Sequence, residues 1–316
     1  MLYYFKNGGE FMIGAMAITL LAAFLWGITN HIDKFLLNKV DESGSSIKTL
    51  LVFSTLVAGI VLTPIWLIIS KFLISISLIS LISILMSSLV CVLGIYFYFK
   101  ALENNDASIV VVMFQMIPVF SYIMAAILFK ELLTPTQIIG SIIVILAAII
   151  ISFDFEEKTN KNKFKALLLM TLSSLCYSTY YILFDIAIRN SSYNACAFWY
   201  QIGLLIIGII LICIKSYRTT FFKAIKNNGK RYFSLNITNE VINLIACLLV
   251  NFANLSIPIA LANISCGFQT MSVFILGVIG AKFLPKYFTE HLTKKAMVQK
   301  LGCIVLSIIG LVIIFV

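Results

Sequence analysis

A glutamate at position 240 stands inside a run apolar enough to cross a membrane, Arg231 to Ser256, and it has polar company. Asn236, Glu240, Asn243, Cys247, Asn251 and Asn254 follow one another at steps of four, three, four, four and three. That spacing places them on one face of an α-helix whose other face is Val, Ile, Leu, Ala and Phe. Counted from Arg231, Glu240 lies roughly 13 to 14 Å along such a helix, near the middle of a hydrocarbon layer about 30 Å thick. A carboxylate at that depth cannot face lipid. It faces a bundle interior or a watery cavity, and residues of this kind mark routes for ions, protons or polar solutes.

Other segments carry polar groups at similar spacing. Trp26, Asn30 and Asp33 share a helical face. Asn30 is the deeper of the two polar groups, whereas Asp33 also reads as an interface residue beside Lys34. Tyr177, Tyr181 and Asp185 step by four, and Asp185 is four from Arg189, so an ion pair at the surface competes with a place in the cavity. Tyrosine has an apolar body and a hydroxyl that seeks a partner when buried, which suits an organic ligand as well as ordinary packing. Gln115 and Gln269 sit inside other apolar runs. Tyr96, Phe97, Tyr98 and Phe99 read as an aromatic interface belt or as part of a cavity wall. No Gly-rich phosphate loop, HExxH or histidine cluster is present, and the two histidines, His31 and His291, serve no Ser-His-Asp constellation. No enzymatic chemistry, metal or cofactor is expected.

The elements that must position these groups are membrane helices. Hydrophobic residues make up 61% of the 316 positions and charged ones 11%. Ten spans are predicted, at 12–33, 49–69, 73–99, 107–129, 135–153, 164–188, 194–214, 232–255, 259–281 and 299–316. The connecting segments are short, so the chain is expected to be one all-α integral membrane domain, and no cleaved signal peptide is expected before the first span. The seven cysteines form no CxxC pair and read as small apolar packing residues. A net charge of +10 does not indicate nucleic acid, because it is distributed by side. The linkers 1–2, 3–4, 5–6, 7–8 and 9–10 hold three, one, four, six and five of the 23 Lys and Arg residues, against four on the other side. By the positive-inside rule the basic side is cytoplasmic and both termini lie outside.

The fourth and fifth spans add a recognisable pattern. Pro118 stands mid-span, and Lys130 is followed by Glu131, Leu133-Thr134, Gln137 and Gly140; upstream stand Trp26-Gly27 and Ala101-Leu102. In the order and spacing of these features the chain resembles the EamA-type members of the drug/metabolite transporter superfamily. The resemblance implies a ten-helix, multi-pass transporter of a bacterial inner (plasma) membrane, with a small-molecule solute and the lipid bilayer as partners. It is sharp in the first half only, since Tyr177-Ser178, Ser272 and Leu284-Pro285 replace the Trp-Gly pair, the proline and the glutamate in the second.

A repeat within the chain points the same way. Phe114-Gln115-Met116-Ile117-Pro118-Val119-Phe120 recurs as Phe268-Gln269-Thr270-Met271-Ser272-Val273-Phe274, four identities in seven at a separation of 154 residues. Five spans per half, over 1–153 and 164–316, would make the copies cross the bilayer in opposite senses, as in inverted-repeat transporters. The reading is a secondary transporter working by alternating access on a zwitterionic or cationic metabolite, amino acid, amine or drug. Trp26, Asn30, Gln115, Tyr177, Tyr181, Glu240, Asn243, Asn251 and Gln269 are the candidate solute contacts, Asp33 and Asp185 are secondary candidates, and Glu240 couples a proton. A flippase for lipids or lipid-linked sugars and a non-transporting membrane scaffold stand as alternatives.

Overall fold

The computed structural model describes residues 8–39, 46–129, 134–152, 161–253, 267–284, 288 and 293–315. Every regular element among them is a helix: α1 (Gly8–Lys39), α2 (Ser46–Ile69), α3 (Leu78–Leu102), α4 (Ala107–Phe114), α5 (Met116–Phe129), α6 (Pro135–Ser152), α7 (Lys161–Ile188), α8 (Tyr193–Cys213), α9 (Lys215–Ala253), α10 (Gln269–Phe283) and α11 (Lys294–Phe315). Seven stretches of the described residues are long and apolar enough to cross a membrane, and Pro135–Ile151 and Gln269–Phe283 are shorter apolar helices. The chain is an all-α integral membrane protein. Its outer surface is a coat of exposed Leu, Ile and Phe, including Ile68, Ile82, Ile127 and Ile209, as a lipid-facing surface requires.

Two predicted spans need correction. The fourth is two helices, and the break falls at Gln115 and not at Pro118 itself. A proline has no N–H, so the carbonyl of Phe114, four residues back, loses its helical donor, and the Gln115 N–H bonds the Val112 carbonyl at 3.2 Å in a tighter turn. The eighth begins at Lys215, absorbing the basic linker, and bends at Gly229, whose φ of 70° and ψ of −171° only glycine adopts readily. Before this bend Tyr217, Phe221 and Ala224 pack on the core while Arg218, Lys223 and Lys226 are exposed. Of the ninth span, residues 259–266 lie outside the described residues, as do Asn254, Asn263, Glu131, Leu133 and His291.

The core forms where helices from the two halves of the chain meet. α3 packs on α7 and α1 on α9; α2 on α9 and α3 on α8; α5 on α7 and α1 on α10. Three further pairs are α2 with α8, α4 with α10 and α6 with α11. In the last pair glycine faces glycine. A Cβ built on Gly140 would lie 2.6 Å from the Gly310 carbonyl oxygen, and one on Gly310 would lie 2.9 Å from that of Gly140. Small residues of this kind let membrane helices approach backbone to backbone. At the start of α11 the buried Lys300 ammonium donates to Asp106, the N-cap of α4, at 2.5 Å.

Candidate functional site

Three side chains of α1, one turn apart, supply the frame. Trp26, Asn30 and Asp33 point the same way because residues at i, i+4 and i+7 share a helical face, and α9 and α10 pack against that face. Gln269 Nε2 on α10 donates to Asn30 Oδ1 at 2.7 Å, and Asn30 Nδ2 donates to the Tyr98 hydroxyl on α3 at 2.7 Å. The Tyr98 hydroxyl donates in turn to Asp33 Oδ2 at 3.1 Å, and Asn239 Nδ2 on α9 donates to the other carboxylate oxygen at 2.6 Å. These four bonds make one continuous chain through α10, α1, α3 and α9. Beside it Trp26 Nε1 donates to Asn243 Oδ1 at 3.0 Å, and Ser54 Oγ on α2 donates to Glu240 Oε1 at 2.7 Å.

The site is acidic and buried. Asp33 is 8% exposed and Glu240 7%. No Lys or Arg belongs to the chain of hydrogen bonds. The nearest in sequence, Lys34, gives its ammonium to the carbonyls of Leu102 and Glu103 at the end of α3, at 2.8 and 2.9 Å. Acceptor capacity is left over: among the described residues the buried Oδ1 atoms of Asn236 and Asn239 receive no hydrogen bond. A buried amide oxygen in that position is usually satisfied by water or ligand. Two buried carboxylates, amide oxygens and the face of Trp26 can receive hydrogen-bond donors and positive charge.

The other sequence candidates divide. Gln115 is buried at the break between α4 and α5, and its Oε1 would lie 3.7 Å from a Cβ on Gly267, two residues before Gln269. Tyr177 packs its ring edge-on to Phe114, 5.7 Å between centroids, and Phe114 in turn lies 5.0 Å from Tyr98, so it borders the network through aromatic contact. Tyr181 and Asp185 lie toward the surface. Tyr181 is 51% exposed and 4.6 Å from the Tyr180 ring. Asp185 pairs with Arg189 at 2.8 Å, and both side chains are exposed. Asp185 is thus ion-paired at the protein surface, whereas Asp33 is buried. The side chain of Asn251 lies outside those described.

Three members escaped the sequence reading: Tyr98, Asn239 and Ser54. Tyr98 belongs to an aromatic run that reads as an interface belt or as part of a cavity wall, and a tyrosine hydroxyl within a span needs a partner. Asn239 fits the α9 face through its steps of three from Asn236 and four to Asn243, and that spacing was the available signal. Ser54 has no signal in sequence. His31, whose Nε2 lies 2.7 Å from the Val273 carbonyl and whose ring lies 4.9 Å from Phe288, ties α1 to α10.

Known proteins extend this picture. Residues 12–153 match the model of the EamA-like transporter family. A solved structure titled "Crystal structure of protein" aligns with a TM-score of 0.50 at 14% identity, over 95% of this chain and 97% of that one, and shares the fold. No curated protein matches. The segment bearing Trp26-Gly27, Pro118 and Gly140 is thus similar to the EamA-like transporters of the drug/metabolite transporter superfamily.

Proposed function

We propose that the protein is a secondary transporter of a bacterial inner (plasma) membrane that moves a small cationic or zwitterionic organic solute by alternating access. The observation that carries this reading is the network itself: two buried carboxylates, Asp33 and Glu240, held by helices from both halves of the chain with no basic residue among their described hydrogen-bond partners. An ammonium group on the solute would supply the missing positive charge. Asn30, Gln115, Asn243, Asn251 and Gln269 offer amides to its polar substituents, and Trp26 and Tyr177 offer apolar faces. Glu240 has a single described hydrogen-bond donor, Ser54, which leaves its carboxyl the freer of the two acids to take up a proton when solute leaves and release it when solute arrives. Net charge in the site then stays nearly constant through the cycle.

Two inverted five-helix repeats, 1–153 and 164–316, would provide the moving parts. The pairings support this. Exchanging the halves turns α3 on α7 into α1 on α9, α2 on α9 into α3 on α8, and α5 on α7 into α1 on α10, while α2 with α8, α4 with α10 and α6 with α11 map onto themselves. Local contacts follow the same exchange. A Cβ on Gly27 would lie 3.1 Å from that of Ser272, and Ser178 in the corresponding place bonds the Ile117 carbonyl at 2.8 Å, next to Pro118.

Glu240→Gln in proteoliposomes tests the coupling. The variant keeps the acceptor for Ser54 but cannot titrate. It is expected to retain solute exchange across the membrane while losing accumulation driven by a proton gradient. Gradient-driven uptake unchanged at every pH would return Glu240 to a structural role.

A further inference from the structure

On the outer surface, away from the polar network, two apolar grooves flank the first turns of α11. One, of about 560 Å³, is lined by Ile150 of α6 with Lys295, Gln299, Gly302, Cys303 and Leu306. The other, of about 390 Å³, is bounded by Phe274 of α10 with Met297 and Leu301. Both include Lys294 and Val298, so they meet at the top of the helix and diverge around it. Their walls are apolar, whereas the exposed Lys294 lies at the mouth they share and the exposed Lys295 at that of the first.

We infer that this is a binding site for one anionic diacyl phospholipid, its phosphate between Lys294 and Lys295 and one acyl chain in each groove. Neither lysine has an ion pair among the described residues. Lys300, one turn further on, is committed to Asp106, and Gln299 gives its amide to the Ile150 carbonyl at 2.8 Å. The positive end of the α11 dipole adds to the attraction for phosphate. Both lysines belong to the basic side of the bundle, where anionic lipids concentrate and where basic clefts between membrane helices hold their headgroups. Gly302 leaves the first groove open, because a Cβ there would meet nothing within 4 Å. The site is separate from the central network and does not depend on what that network carries.

The test is native mass spectrometry of the full chain in detergent with dioleoyl phosphatidylglycerol, dioleoyl phosphatidylcholine or glycerol 3-phosphate. Retention of one phosphatidylglycerol is expected, with little phosphatidylcholine and no glycerol phosphate. Lys294→Gln with Lys295→Gln should weaken that retention roughly thirtyfold, a factor of about five for each basic group at an anionic surface. Gly302→Leu puts a side chain into the groove, where a Cβ meets nothing within 4 Å, without changing charge, and should also release the lipid. Equal retention of the two phospholipids would mean an unspecific lipid shell and overturn the site. Binding of glycerol phosphate alone would identify a phosphate site without lipid and overturn it too, as would undiminished retention by the lysine variant.

Discussion

The two buried acids differ in how they are held, and the difference can be measured. Asp33 accepts from Tyr98 and from Asn239, one donor on each oxygen. Asp33→Asn would turn an NH₂ toward one of those donors, leaving a buried group unpaired at a cost of about 1–3 kcal/mol. The thermal unfolding temperature of the purified variant is expected to fall clearly below that of the parent. Glu240→Gln keeps its acceptor for Ser54 and is expected to unfold within a degree or two of the parent. Equal losses would show that the two carboxylates are held alike. The α9 stripe and the α1 face were legible in the sequence because helical periodicity alone determines which residues share a face. Their partners were not. Tyr98 meets Asn30 across 68 positions and Asn239 meets Asp33 across 206, and no local pattern encodes such approaches.

At the scale of the helix, breaks and bends follow particular residues. Pro118 announced a disruption, but its place at Gln115 required counting back to the carbonyl the proline leaves without a donor. Gly229 carried no comparable signal in a linker already rich in Lys and Asn. Its backbone conformation costs other residues on the order of 1–3 kcal/mol, so Gly229→Ala is expected to loosen the amphipathic half of α9 from the core. Hydrogen exchange at 215–228 should rise in that variant while exchange at 235–250 stays as before. Where α6 crosses α11 the constraint is steric. Gly140→Leu would drive a side chain into the Gly310 backbone, overpacking worth about 1–3 kcal/mol at the least, and the protein should lose its monodisperse peak in size-exclusion chromatography.

For the molecule as a whole, the basic side contains linkers 1–2, 3–4, 5–6, 7–8 and 9–10, and charge counting places it in the cytoplasm. A reporter fused to the C-terminus is therefore expected to be active only outside the cytoplasm, and a cytoplasmic signal would reverse the orientation. The membrane class, the helical content and the polar stripe followed from composition and periodicity, whereas the pairing of halves had only the Phe-Gln motif to hint at it. That pairing has a consequence for biosynthesis. α2, α3 and α6 each lack their principal partner until α8, α7 and α11 have been translated, and α11 comes last. The first half must wait in the bilayer as inserted but unassembled helices, so a ribosome that stalls before position 294 releases a product whose α6 has no glycine surface to close upon. Such a fragment is expected to be cleared by membrane proteolysis, whereas co-expression of residues 1–153 with 164–316 is expected to restore the contact of α6 with α11.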